Sequence, residues 1–254
     1  MKQTGISSKI WSAFRLKDEH ARNEALLEIL DFVQAGKEDI KNGIEELILG
    51  LSREKSTLVL SSFWYKLSKL GPQIELKAFA EKELDNPDAD HRRQALFYLS
   101  EVYKEDRERL FKKMKNDLDP WVLYEAGYTI LNINPKLAVN LWLDLQRDAP
   151  VVLADEVLPS CIGQYADEEV INRLKAIVSK DPNDYLTLWD LRAAETWNSI
   201  DYLDSKLPVD VGEGYLIHCP NCHSPLGIRL GHVGERARCR LCKHEFIIPP
   251  RSEE

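Results

Sequence analysis

A period of 31 residues runs through the middle of this chain and limits what it can fold into. Ala95, Ala126 and Val157 are spaced by 31 residues, and each is followed four positions later by an apolar residue, Leu99, Ile130 and Cys161. Residues four apart share one face of a helix. Asp88 and Asp119 stand seven residues ahead of Ala95 and Ala126. Leu188 continues the count, although Trp189 and Ala193 fit the pair better after a one-residue slip. Pro87, Pro120, Pro150 and Pro182 punctuate the starts, where a missing N–H costs nothing because the first turn has no intrahelical acceptor for it. Each period also carries a second helical stripe. Its apolar members are Leu110, Phe111, Met114 and Leu118 in 106–118, Leu137, Ala138, Leu141, Trp142 and Leu145 in 135–147, and Val170, Ile171, Leu174, Ile177 and Val178 in 167–180. Asp106 and Asp167 are the expected N-caps. Two amphipathic helices per period cannot bury their faces alone, so neighbouring periods must stack.

The rest of 1–206 reads as helical as well, with few alternating β-branched runs and little glycine. Helices are expected over 20–34, 37–51, 53–70 and 73–85. Asp119-Pro120-Trp121-Val122, followed by Ala126 and Ile130-Leu131, resembles the first helix of a HEAT repeat. Asp88-Ala89-Asp90-His91-Arg92, followed by Ala95 and Leu99, resembles it too. The resemblance is best over 86–147 and extends to 206. It implies a mainly α fold, a right-handed α-α solenoid of the HEAT/armadillo kind, about six helix pairs long. Pro159 falls inside the third first-helix and is expected to kink it, as first helices of HEAT repeats often are.

Residues 207–214, Leu207 to Gly214, break the pattern and read as a linker or a capping strand. Beyond them the period changes to that of strands, over 215–217, 226–230 and 245–248. Cys219-Pro220-Asn221-Cys222 and Cys239-Arg240-Leu241-Cys242 lie sixteen residues apart, which is the spacing of a four-thiolate zinc site. The intervening strand, turn and strand bring the pairs together. Four filled positions leave none for water, so one zinc held by Cys219, Cys222, Cys239 and Cys242 is structural. It replaces a core that so short a segment cannot build. Four sulfurs also suit iron in a rubredoxin-like site. Ile217, the two cysteine pairs, Leu226, Gly234, Arg238 and Phe246-Ile247-Ile248-Pro249 resemble the short zinc ribbon at the ends of many bacterial proteins. One departure stands out. Such knuckles place glycine after the second cysteine, where φ is positive, and here His223 and Lys243 occupy those positions. The expected organisation is 1–206 helical repeat, 207–214 linker and 215–254 zinc ribbon.

Charge bears on function. The net charge is −8, yet residues 215–254 carry six Lys/Arg against four Asp/Glu, which leaves −10 on the remaining 214 residues. A body built to grip phosphate needs a basic stripe. The ribbon is mildly basic through Arg229, Arg236, Arg238, Arg240 and Lys243. His218, His223 and His244 flank the knuckles and read as surface residues beside a finished site. Phe246 reads as core. The fifth cysteine, Cys161, holds a repeat position filled elsewhere by Leu99 and Ile130, so burial is expected over reactivity. The basic run Arg107, Arg109, Lys112, Lys113 and Lys115 reads as a solvated face balanced by Glu105, Asp106 and Glu108. With no disulfide framework, no secretory run at the N-terminus and no apolar stretch of membrane length, a cytoplasmic setting with no membrane partner is expected.

No nucleotide loop, catalytic triad or open metal site emerges, and no catalytic residue is named. The leading expectation is a non-catalytic adaptor or scaffold that binds a protein or peptide through the helical surface, with the ribbon as a second docking module. The first alternative is a nucleic-acid-associated protein that uses the ribbon. The second is an enzyme, either a thiol redox protein or a HEAT-like DNA glycosylase built on Trp121, Trp142, Trp189, Trp197 and Asp190. The acidic body and the apolar stripes holding Trp142 and Trp189 speak against the glycosylase.

Overall fold

The computed structural model describes residues 5–36, 40–207 and 214–251, and the chain forms two compact units, Met1–Ile133 and Asn134–Glu254. The fold is mainly helical with a small C-terminal set of strands. Of the expected linker 207–214, residues 208–213 lie outside the described residues, as do 37–39 of the expected helix 37–51. Among the described residues no helix is long and apolar enough to cross a membrane.

The first unit contains α1 (Ile6–Phe14), α2 (Glu19–Gln34), α3 (Ile44–Leu51), α4 (Thr57–Ser68), α5 (Ile74–Glu83), α6 (Ala89–Val102), α7 (Arg107–Met114) and α8 (Pro120–Leu131). Helices α2, α4, α6 and α8 pack each on the next, and α1 packs on α3 and α3 on α5. Between the rows lies a core in which Trp64 stacks on Phe79 at 5.9 Å and leans on Tyr98 at 5.0 Å. Ala95 and Ala126 are fully buried, and so is Leu99.

Two local motifs tie successive pairs together. Asp18 and Asp88 cap α2 and α6, accepting hydrogen bonds from the N–H groups of Ala21 and Asp90. Four residues after each cap comes an arginine. Arg22 donates to the carbonyls of Leu16 and Lys17 and to the Glu54 carboxylate at 2.7 and 3.0 Å. Arg92 donates to the carbonyls of Asn86 and Pro87 and to both oxygens of Asp117 at 2.8 Å. Asp18-Glu19-His20-Ala21-Arg22 is thus the counterpart of Asp88-Ala89-Asp90-His91-Arg92, and the spacing is visible in the sequence. Burial pushes the Glu54 carboxyl up, but Arg22 and the N–H groups of Ser56 and Lys55 outweigh it and hold it below the usual range. Asp117 is held down in the same way, by Arg92 and the Asp119 N–H against the cost of burial.

The second unit contains α9 (Pro135–Leu145), a π-helical stretch over Val152–Val157 that runs into α10 (Leu158–Tyr165), α11 (Glu168–Lys180), α12 (Tyr185–Trp197), and strands β1 (Ile200–Tyr202), β2 (Gly214–His218), β3 (Pro225–Arg229), β4 (Arg236–Cys239) and β5 (Glu245–Ile247). The helical run is unbroken over 151–165, so Pro159 falls inside it, as the sequence leads one to expect, directly after the π-helical turn. A proline ring clashes with the carbonyl four residues back, and the wider i→i+5 turn makes room for it. Helix α12 packs on α10, α11 and β3.

Several expectations change here. Asp167 caps α11 through the Val170 N–H, but Asp106 caps nothing. Its backbone is already helical at φ −88°, and its carboxylate instead meets Lys77 at 2.7 Å. Leu118 lies past the end of α7 and is 97% exposed. Trp142 is buried as expected, but Trp189 is 47% exposed because the buried face of α12 runs through Asp190, Leu191 and Ala194. Ala193 does lie at a close approach, since a Cβ on Gly163 of α10 would stand 2.7 Å from it. In the basic run Arg109 meets Asp106 and Lys112 meets Glu108, as expected, while Glu81 of α5 and Asp85 just beyond it add partners for Arg109 and Lys113, and Arg107 is buried and donates to the Ser100 carbonyl.

Strand β1 lies within the segment expected to be helical. It pairs antiparallel with β4, placing Ile200 opposite Cys239 and Asp201 opposite Arg238, and β4 pairs with β5. Strands β2 and β3 form a separate hairpin. Ile200 enters the ribbon core beside Leu226, Ile228, Ala237 and Ile248, with Phe246 packed against them. Trp197 lies across the hairpin so closely that a Cβ on Gly214 or Gly227 would stand 2.5 or 2.3 Å from its ring.

Candidate metal centre and groove

Four cysteines converge at the end of the second unit. The Sγ atoms of Cys219, Cys222, Cys239 and Cys242 all lie within 4.8 Å of one another. Cys219 and Cys242 are 3.6 Å apart and Cys222 and Cys239 are 3.9 Å apart, sulfur to sulfur. A tetrahedron with metal–sulfur bonds of ~2.3 Å has edges of ~3.8 Å, so the donor set fits a four-coordinate metal.

The two knuckles are built alike. In the first, Cys219 N–H donates to the Ser224 carbonyl at 2.9 Å, and His223 N–H returns to the Cys219 carbonyl at 3.0 Å. In the second, Cys239 N–H donates to the His244 carbonyl at 3.0 Å, and Lys243 N–H returns to the Cys239 carbonyl at 2.9 Å. This tight reversal aims both cysteines of a pair to one side, and it requires the residue after the second cysteine to be left-handed. His223 and Lys243 have φ of 57° and 63°, the two positive values among described non-glycine residues, at the positions the sequence marks.

Electrostatics differ among the four thiols. Burial pushes Cys219 up to about 11. The Ser224 hydroxyl, 3.1 Å from the sulfur, leads the effects that hold Cys222 at about 6. Burial opposes ionisation of Cys239, yet the Cys242 N–H and Ser224 bring it below its ordinary value. A bound dication would deprotonate all four. His218, His223 and His244 are exposed and stand outside the donor set.

The ribbon's arginines are paired with acids or backbone carbonyls. Arg229 is 4% exposed and donates to the Gln164 carbonyl at 2.9 Å. Arg236 is paired with Asp204 at 3.2 Å and Glu245 at 3.0 Å. Arg238 and Arg240 both meet Asp201, which the β1–β4 register brings beside them. The acids that neutralise them come partly from 200–204, just outside the ribbon as the sequence delimits it.

In the first unit, α2, α4, α6 and α8 line a groove of about 600 Å³. Its walls carry Tyr65, Phe97, Trp121 and Tyr124, with Tyr65 stacked on Phe97 at 6.3 Å and Trp121 edge-on to Tyr124 at 5.9 Å. The cations beside them are engaged. Lys66 meets Asp31 at 2.7 Å, and Arg93 meets Asp90 at 3.5 Å while lying over the Trp121 ring. Half-buried Glu125 lines the same wall, and burial pushes its carboxyl up to about 7 against the pull of Arg93. Of the aromatics named in the glycosylase alternative, only Trp121 lines this groove. Trp142, Trp197 and Asp190 lie in the second unit, and Trp189 is exposed. Cys161 is 6% exposed on α10, as its repeat position implies.

Asp190 is the residue the sequence reading placed least well. It is 1% exposed, and burial, followed by the charge of Asp184, pushes its carboxyl up to about 7. Its partner is Gln146, also buried, whose amide nitrogen donates to Asp190 at 3.3 Å and to the Ala154 carbonyl at 3.0 Å. An aspartate on the apolar side of a helical stripe was the available signal.

Comparison with protein-family models, with curated proteins and with solved structures finds no match to this chain.

Proposed function

We propose that this protein is a non-catalytic adaptor that binds a protein or peptide along a helical-repeat surface and carries a structural zinc ribbon. The observation that carries the reading is the aromatic groove across α2, α4, α6 and α8. A row of like helices, each packed on the next, suits a solenoid of the HEAT kind, and such scaffolds bind along the face their repeats line up. Rigid aromatic side chains lose little entropy on contact and are favoured in binding hot spots. The chemistry of the groove offers recognition and no nucleophile–base pair.

Zinc is the metal we assign to Cys219, Cys222, Cys239 and Cys242. The sulfur separations support it, and four thiolates close the coordination sphere, so the ion would hold the two knuckles together and activate no water. Thiolate ligands in this number favour a reducing, cytoplasmic setting. The pairing of Arg236, Arg238 and Arg240 with acids lowers support for a nucleic-acid role, since those guanidiniums are already compensated.

A photo-crosslinking amino acid placed at Tyr65 or Phe97 in the native cell tests the adaptor reading. The expected result is one discrete adduct that is lost on Trp121→Ala. A groove that yields no adduct at either position would overturn it. Elemental analysis of protein purified without added metal is expected to give about one zinc per chain. Iron or no metal in a folded ribbon would overturn the assignment.

A further inference from the structure

A second cavity, of about 280 Å³, opens in the second unit between α9, α11 and α12. Its floor is made of two buried acceptors. Asp190 is 1% exposed, and Gln146 is 4% exposed. The Ala154 carbonyl fixes which way the Gln146 amide points, because it takes the amide nitrogen at 3.0 Å. The amide oxygen, Oε1, is therefore turned away from that contact, and it is buried without a hydrogen-bond partner. Asp190 receives one hydrogen bond from this amide, at 3.3 Å. A buried carboxylate with no cation and a buried amide oxygen with no partner line the same cavity, and such a lining calls for a ligand rich in N–H.

The rim does not supply it. Arg173 is turned to Asp144 at 3.6 Å and to Asn140 at 2.9 Å. Arg147 stands 4.0 Å from Asp184, which also takes the Thr187 hydroxyl at 2.7 Å. Each rim acid thus has its own cation, and Asp190 below them has none. The surroundings favour positive charge as well. Residues 134–206 hold thirteen Asp/Glu against seven Lys/Arg, a net −6, and most of the chain's acidic excess lies there. A metal ion fits poorly, because hard cations need several converging oxygens. Among the described residues the four cysteines are the one cluster of convergent metal-ligating side chains.

We propose that this cavity binds an organic cation, an alkylammonium or alkylguanidinium group, on the Asp190 carboxylate and the Gln146 carbonyl. The group fits the cavity's size, and its N–H donors satisfy both floor acceptors at once. Such a group can come from a free small amine or from the lysine or arginine of a partner chain. The cavity and the aromatic groove belong to different units, so this inference stands apart from the adaptor reading.

Isothermal titration of the full-length protein tests it, with agmatine, n-butylammonium, the neutral isostere n-butylurea, and a short arginine-bearing peptide. Saturable binding of the small cations, with n-butylurea at least tenfold weaker, is expected if the site takes free amines. Binding of the peptide alone among these probes would assign the cation to a partner's side chain. Asp190→Asn is expected to weaken binding at least tenfold. Gln146→Glu, which adds a second carboxylate to the floor, is expected to strengthen it several-fold and serves if the first variant fails to fold. Equal binding of n-butylurea, no binding by any probe, or full binding by Asp190→Asn would overturn the proposal. So would a crystal soaked in agmatine that shows water alone on Gln146.

Discussion

His223 and Lys243 hold φ of 57° and 63° at equivalent places in the two knuckles. A side chain in this region costs about 1 kcal/mol or more, because Cβ crowds the following carbonyl, whereas glycine is free of that contact. Both side chains are exposed and neither supplies a metal-binding atom. His223→Gly and Lys243→Gly are therefore each expected to stabilise the ribbon by about 1 kcal/mol, read as slower metal transfer to a chromophoric chelator. A faster transfer would show that the side chains contribute contacts outweighing the strain. Asp190 gives a prediction of opposite character. Its folded pKa, about 7, is raised above the ordinary aspartate value of 3.8. Between those values the folded state binds the extra proton, so stability falls as pH rises from about 4 to about 7 and is level above that. A shift of this size corresponds to at most about 4 kcal/mol. Asp190→Asn is expected to remove the slope and to be more stable than the parent at pH 8, by urea denaturation. An unchanged slope would mean that the carboxyl is ionised and satisfied in the folded protein.

At the scale of elements, the arginine four residues after a capping aspartate joins one helix pair to the next. Arg92 and Asp117 share two hydrogen bonds at 2.8 Å with 16% and 9% of their side chains exposed. Removing one partner leaves a buried charge unpaired, which costs far more than the intact pair contributes. Arg92→Ala is expected to destabilise the first unit by about 3 kcal/mol. Asp117→Asn in the Arg92→Ala background should add little, and a double-mutant cycle in urea checks the coupling. Both Asp117 and Glu54 have folded pKa values below their unfolded ones, so their stabilisation is present above the unfolded pKa and is lost as pH falls through the folded one. This motif could be read in the chain, because its spacing is local and recurs at Asp18 and Asp88. The helices were legible for the same reason, as was the cysteine cluster, whose ligands lie on two short turns. What escaped were features set by distant partners. Asp106 has the residue type of a cap but is drawn to Lys77 on another helix. Trp189 is exposed because the register of α12 is fixed by its packing on α10 and α11, which a stripe counted along one helix cannot reveal.

At the scale of the molecule, the ribbon is anchored within the second unit by more than its cysteine cluster. Strand β1 leaves the end of α12 and enters the sheet beside β4. Trp197, the last residue of α12, closes on Gly214 and Gly227 of the hairpin. Arg229 reaches from β3 to the Gln164 carbonyl on α10. The ribbon core is small, with seven fully packed residues, two of them cysteines. A core of this size does not hold without its cross-link. Removing the metal should thus release not only 214–249 but also the elements that lean on it. The expected outcome of chelation, followed by hydrogen exchange, is loss of protection in β1 to β5 together with the last turns of α12. Amides of α4, α6 and α8 should keep theirs, because these helices belong to the first unit and pack on one another there. Far-ultraviolet circular dichroism should fall only slightly, since most of the helical residues lie outside the affected segment. Gly227→Ala tests the same coupling with metal in place. An added Cβ would stand 2.3 Å from the Trp197 ring, so the hairpin or the tryptophan must move. That variant should keep its metal yet lose protection at 195–202. Protection retained there would mean that β1 is held by the sheet alone and that α12 is not coupled to the ribbon.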